Sequence, residues 1–136
     1  MNQIHPDVSL VPLLEYILTD DKHYHLFTAP TSEPGLDVVL GDFTEEAGAG
    51  YAPVTVTSAD WTTTGVTGNQ GFAIAPDIAF TPDPAVTFTN YGYFITDDTD
   101  TILLGFGFFD AGPIVTVGPA SLTMTPKFGN NSRYTS

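Results

Sequence analysis

The sequence predicts a mainly β fold, a single β-sandwich or jelly-roll-like domain of about seven or eight strands preceded by a short N-terminal helix. Three observations lead there. Short runs of β-branched and aromatic residues recur through the chain. Gly- and Pro-bearing turn signals separate them roughly every ten residues, the spacing of sandwiches and barrels. A chain of 136 residues with no cysteine is long enough for one core without disulfides or metal staples.

The helix is expected over residues 8–18. Val8, Leu10, Val11, Leu13, Leu14, Ile17 and Leu18 recur at mixed three- and four-residue spacing, as one apolar helical face requires. Ser9 is placed to cap it, Pro12 is tolerated in its first turn, and Asp20-Asp21 end it. Residues 23–28 then read as a strand ended by Pro30. Residues 30–50 carry Pro34 and Gly35, Gly41, Gly48 and Gly50, so a long loop is expected, with a brief strand at 37–40. Over residues 51–57, Val54 and Val56 point one way and Thr55 and Thr57 the other, a half-buried strand. Trp61 follows as a core plug near a sheet edge, and residues 62–69 read as a Gly/Thr turn region.

Phe72, Ile74, Ile78 and Phe80 mark a strand split at Pro76. After the Pro82-Asp83-Pro84 turn and a run through Val86 and Phe88 comes the clearest hairpin, residues 91–96 and 102–109 around Asp97-Asp98-Thr99-Asp100. In its second arm Ile102, Leu104, Phe106 and Phe108 share one face. Gly105 and Gly107 thin the other, which predicts close approach of a backbone or ring. Residues 114–117 and 122–125 complete the sheet. The expected organisation is therefore an arm and helix at 1–21, the β domain at 22–128 and a flexible polar tail at 129–136.

Charge restricts the partners. Three Lys+Arg oppose 16 Asp+Glu, a formal net charge of −13. Phosphate backbones and anionic membranes must be met with cations, so neither nucleic acid nor a membrane surface is an expected partner. No basic, uninterrupted apolar leader and no membrane-length apolar run is seen. Mean hydropathy is nonetheless slightly above zero. Apolar surplus on a small domain points to an interface, hence a homo-oligomer or docked subunit.

Four constellations were weighed for chemistry. His23 and His25 alternate on a strand and project from one face, with Asp20 and Asp21 nearby as further donors. No third ligand at fixed spacing accompanies them, so two surface histidines is the plainer reading. Asp97, Asp98 and Asp100 lack the downstream Glu of a calcium loop and are ordinary turn formers. Asp42, Glu45 and Glu46 are the one place for paired acid–base carboxylates, but they sit in a Gly-rich loop with no aromatic sugar platform beside them, and a solvated acidic loop is the reading preferred. The aromatic set Tyr91, Tyr93, Phe94, Phe106, Phe108 and Phe109 reads as core and inter-subunit packing before a ligand platform. Nucleophile-elbow, zinc-protease and phosphate-loop motifs are absent. No catalytic, cofactor-binding or metal-binding residue is assigned, and the expectation is a non-enzymatic protein without a cofactor.

In order along the chain, Leu26-Phe27-Thr28 after the helical segment, Gly50-Tyr51 opening Tyr51-Ala-Pro-Val-Thr-Val, Trp61, Gly92-Tyr-Phe-Ile-Thr-Asp and Leu122-Thr-Met-Thr-Pro-Lys-Phe resemble small structural proteins of tailed bacteriophages. The resemblance touches most of residues 10–128. It implies a capsid decoration (cement) protein or minor virion protein, made in the host cytoplasm and carried on the capsid exterior. It brings no catalytic residues. Its implied partner is the major capsid protein, and a homotrimer around a local three-fold axis is the favoured assembly. Leu10, Leu13, Leu14, Ile17, Tyr91, Tyr93, Phe109, Arg133 and Tyr134 are the expected interface residues. A tail or fibre β domain that binds a host glycan or receptor is the alternative.

Overall fold

Alternating sequence and frequent turns produce a chain of short antiparallel strands, seen in a computed structural model that describes residues 3–4, 15, 17–67, 70–131 and 133–134, with side chains at 15, 17–62 and 72–129. The fold is mainly β. Fourteen strands are present among the described residues, more than the seven or eight expected, because turns and prolines cut the predicted runs into pieces of two to eight residues. They form several small antiparallel sheets. The helix expected over 8–18 lies almost wholly outside the described residues, within which Glu15 and Ile17 have helical backbone. No helix among the described residues is long and apolar enough to cross a membrane.

The chain gathers into two units that are not contiguous in sequence. The first comprises residues 1–21, 56–77 and 125–136. In it, β1 (Gln3–Ile4) pairs with β14 (Arg133–Tyr134), and β6 (Gln70–Ile74) lies between β5 (Thr62–Thr67) and β13 (Lys127–Asn131). The polar segment that begins at Gly129 therefore has strand backbone at Gly129–Asn131, paired with residues 70–72. The core here is Leu18 and Ala73, covered by Trp61 and Phe128. The two aromatic rings meet edge to face at 6.3 Å, and Lys127 Nζ sits 4.5 Å above the Phe72 ring.

The second unit comprises residues 22–55 and 78–124. Its main sheet runs β10 (Leu103–Phe108), β9 (Gly92–Thr96), β2 (Lys22–Ala29), β3 (Thr44–Glu45). β4, which starts at Val54, pairs with β2 off that path. Two further ribbons join β8 (Thr87–Asn90) to β11 (Ile114–Val117) and β7 (Ile78–Phe80) to β12 (Leu122–Met124). The core is Phe27, Phe43 and Phe94, with Leu40, Leu103, Phe106 and Phe108 packed on it.

Three local expectations are corrected. Residues 62–67, expected in a turn region, form β5 and pair antiparallel with β6, because the β-branched Thr and Val residues there find a partner strand. Residues 37–40 form no strand: a turn leads into a 3-10 helix at Leu40–Asp42, because the Asp42 carboxylate accepts the Val39 N–H at 2.9 Å and bends the chain. In β10 the pairing register shifts between Leu103 and Gly105. The irregularity changes which residues face inward. Leu103 joins Phe106 and Phe108 on the core, while Ile102, expected on the same face as those two rings, is 56% exposed.

Candidate functional site

Strand period two puts His23, His25 and Phe27 on one face of β2. Phe27 is core; the histidines are where the apolar face gives way to polar groups. His25 lies opposite Phe94 on β9, and the two rings stack almost parallel, 4.5 Å between centroids. That contact leaves the His25 side chain only 4% exposed and fixes its plane.

Three connected segments complete the cluster. β3 delivers Glu45, whose Oε2 lies 2.7 Å from His25 Nδ1. β9 delivers Thr96, whose hydroxyl lies 2.9 Å from His25 Nε2. The β9–β10 connection delivers Asp100, whose Oδ1 is 2.7 Å from His23 Nδ1, 3.2 Å from His25 Nε2, and accepts the Thr96 hydroxyl at 2.7 Å. Asp100 has φ of 56°, a left-handed conformation that Asp and Asn tolerate better than most residues. Behind Glu45, the Tyr51 hydroxyl donates to Oε2 at 2.7 Å and accepts the Leu26 N–H at 3.1 Å. His25, Glu45, Thr96 and Asp100 line a cavity of about 170 Å³ floored by Leu40, Phe43 and Phe94.

Electrostatics follow from these bonds. Burial acts to raise the Asp100 carboxyl, but hydrogen bonds from Thr96 and His23 and the charges of His23 and His25 outweigh it and hold it below its ordinary value. Asp97 is held well below the carboxylate range by the Thr99 hydroxyl, the Ile102 and Thr101 N–H groups and the Thr101 hydroxyl. It ties the loop to itself, leaving Asp100 to turn toward the histidines. The remaining acidic candidates are likewise engaged. Glu46 accepts from Ala47 N, Gly48 N and Asn90 Nδ2, and Asp42 holds its turn. The three carboxylates considered as an acid–base set thus make separate contacts.

Burial pushes the Tyr24 phenol up, helped by Tyr93. Tyr51 is raised by burial first and then by its hydrogen bond to Glu45. A phenol whose folded pKa is raised stabilises the fold fully below its unfolded value of 10.0, and that contribution is lost as pH climbs above it. In a spectrophotometric titration of the six tyrosines, Tyr24 and Tyr51 are expected to ionise only together with loss of the β circular-dichroism signal. Their reversible ionisation near pH 10 in a folded chain would contradict the burial described.

A larger cavity of about 420 Å³ lies in the first unit, lined by Glu15, Leu18, Thr19, Ser58 and Trp61. The Trp61 indole N–H is buried there without a partner. Among the described residues Glu15 is its sole ionisable lining residue, whereas the smaller cavity gathers four polar side chains on one point. The smaller one is the better candidate for chemistry.

Of the expected interface residues, Ile17 is partly exposed, and Leu10, Leu13 and Leu14 lie outside the described residues. Tyr91 packs on the Phe27 cluster. Tyr93 stacks on Tyr24 at 6.0 Å and meets Phe109 at 6.5 Å. Arg133 and Tyr134 have strand backbone paired with β1. Sequence reasoning set His23 and His25 beside Asp20 and Asp21. The carboxylate that meets both is Asp100, 77 positions from His23, with Glu45 on His25, and no spacing signal could have revealed either.

The chain matches no protein-family model, no curated protein and no solved structure at a significant level.

Proposed function

We infer that the chain is a non-enzymatic structural protein of a virus particle, a decoration protein that binds the outer surface of a capsid lattice and stiffens it. The observation that carries this reading is β11. Val115 and Val117 are 60% and 50% exposed and Ile114 is also exposed, on a strand whose sheet contains, among the described residues, one other strand, β8. An aliphatic strand in a two-stranded ribbon offers both side chains and backbone groups to a neighbouring chain. Leu36, Val39 and Ile102 add further exposed apolar surface on the same unit.

The net charge of −13 supports the reading from the other side. It opposes contact with packaged nucleic acid and keeps free copies apart until a specific surface engages them. Burial of apolar area at about 25 cal/mol per Å², repeated over many copies, then stabilises the shell. The fold expected with this role is a jelly-roll-like sandwich over residues 22–128 behind an N-terminal helix. The assembly expected with it is a homotrimer contacting the major capsid protein through the residues named above.

Copy number in purified particles tests the reading. Near one copy per shell subunit, lowered severalfold by the double substitution Val115→Asp, Val117→Asp in a chain that still folds, is the expected result. A dozen copies or fewer would place the protein in a tail or fibre, and absence from particles would end the virion reading.

A further inference from the structure

Glu45, a carboxylate that can only accept, faces His25 Nδ1 at 2.7 Å, so that nitrogen carries a proton, and in the singly protonated ring Nε2 presents a lone pair. That lone pair points at Asp100 Oδ1, 3.2 Å away, and at the Thr96 hydroxyl, whose one proton goes to Asp100. Asp100 Oδ1 is itself approached by His23 Nδ1 at 2.7 Å. Three donor atoms from His23, His25 and Asp100 lie within 4.8 Å of one another, and a cation between them would satisfy all three at once.

We propose that His23, His25 and Asp100 bind one divalent transition-metal ion, with zinc the best match, and that Glu45 is the positioning residue that holds His25 in the ligating tautomer. Two imidazoles and one carboxylate suit zinc, cobalt or nickel and not calcium or magnesium. Tetrahedral bonds of about 2.0 Å set neighbouring ligand atoms about 3.3 Å apart. The His25–Asp100 separation of 3.2 Å already has this length, and the His23–Asp100 separation is about half an ångström short of it. The two histidine nitrogens, within 4.8 Å of each other, close on the ion by side-chain rotation.

The outer contacts are those of a metal ligand. A histidine that binds through one nitrogen donates its other N–H to a carboxylate, which fixes the ring. Glu45 does this for His25, and Tyr51 in turn fixes Glu45. The Phe94 stack holds the ring plane. On the outer side Asp100 is 50% exposed, which leaves a route for the ion and a fourth position for water. The bound ion clamps the β9–β10 connection to β2 and stabilises this sheet. The site stands or falls independently of the virion reading.

Zinc chloride titrated calorimetrically into the chelator-stripped full chain at neutral pH is the test, with a thermal melt beside it. Saturation at one ion per chain and a midpoint raised by several degrees are expected. His23→Ala and Asp100→Asn should each weaken binding at least a hundredfold; Asn keeps the left-handed backbone accessible, so this variant folds even if the other does not. Glu45→Gln should weaken it ten- to a hundredfold, and His5→Ala should leave it unchanged. No saturable uptake, uptake that survives both ligand substitutions, or equal binding of calcium overturns the proposal.

Discussion

Replacing Gly92 with alanine is expected to unfold the second unit or bring its melting point down sharply. Gly92 is buried at one end of β9, paired with Phe108 on β10 and with Phe27 on β2. A methyl group there would overlap the Gly107 carbonyl oxygen and come within 2.7 Å of the Phe27 ring. The ring has nowhere to go in a packed core, and the carbonyl is backbone of the adjoining strand. Relief requires the sheet to open, so the cost should reach or exceed the ~3 kcal/mol upper end of ordinary overpacking. Gly41→Ala is the matched control. Nothing lies within 4 Å of its new methyl, and a change within about 0.5 kcal/mol is expected. Thermal melts of the two variants decide the matter, and a Gly92→Ala midpoint equal to wild type would disprove the close β9–β10 approach.

Phe27→Ala is the second large effect. The ring is fully buried and contacts Phe43 and Phe108, each at 5.1 Å between centroids. Truncation loses the transfer energy of the ring and leaves a cavity among stiff aromatic neighbours that cannot collapse into it. About 3–5 kcal/mol is the usual penalty, which for a chain of this size lowers the midpoint by roughly 10–20 °C. Denaturant unfolding monitored by circular dichroism should show the midpoint move with an unchanged slope. A loss below about 1 kcal/mol would mean that Phe27 does not anchor the unit.

The first prediction concerns a hairpin that local sequence announced well, and the second a ring packed against it. Residues 91–96 and 102–109 alternate, Asp and Thr fill the turn between them, and β9 and β10 pair there. The expectation that Gly107 admits a close ring also holds, since a methyl at that position would lie 2.8 Å from the Tyr93 ring. Gly105 has only ordinary contact with Ile95, so the same residue type carried two meanings two strand positions apart, about 6.6 Å of chain rise. Leu103 packs on the core beside Phe106 and Phe108, where Ile102 and Leu104 were expected to share their face, because a register shift breaks period two, and no residue in the run marks where it falls. Residues 37–40 looked like a strand by composition, whereas a single capping carboxylate from Asp42 made them a turn.

The candidate site divides in the same way. That His23 and His25 share a face follows from their spacing, and that Asp97 to Asp100 make a turn follows from their chemistry. Their meeting does not. It depends on β2 pairing with β9 in the register His23 to Thr96, which carries the turn after Thr96 to the histidines, and on a left-handed Asp100 aiming its carboxylate inward. Glu45 enters through a third strand.

By itself the sequence determined a mainly β chain, its strong acidity, most strand positions after residue 21 and the hairpin, because these depend on side-chain period, turn propensity and charge, all of which are local. Tertiary structure alone decided that two units interleave along the chain, that Leu103 replaces Ile102 on the core, and that Asp100 and Glu45 converge on His25. Those outcomes come from pairing between distant strands, where a shift of one residue exchanges every inward and outward side chain, and no local pattern specifies that register.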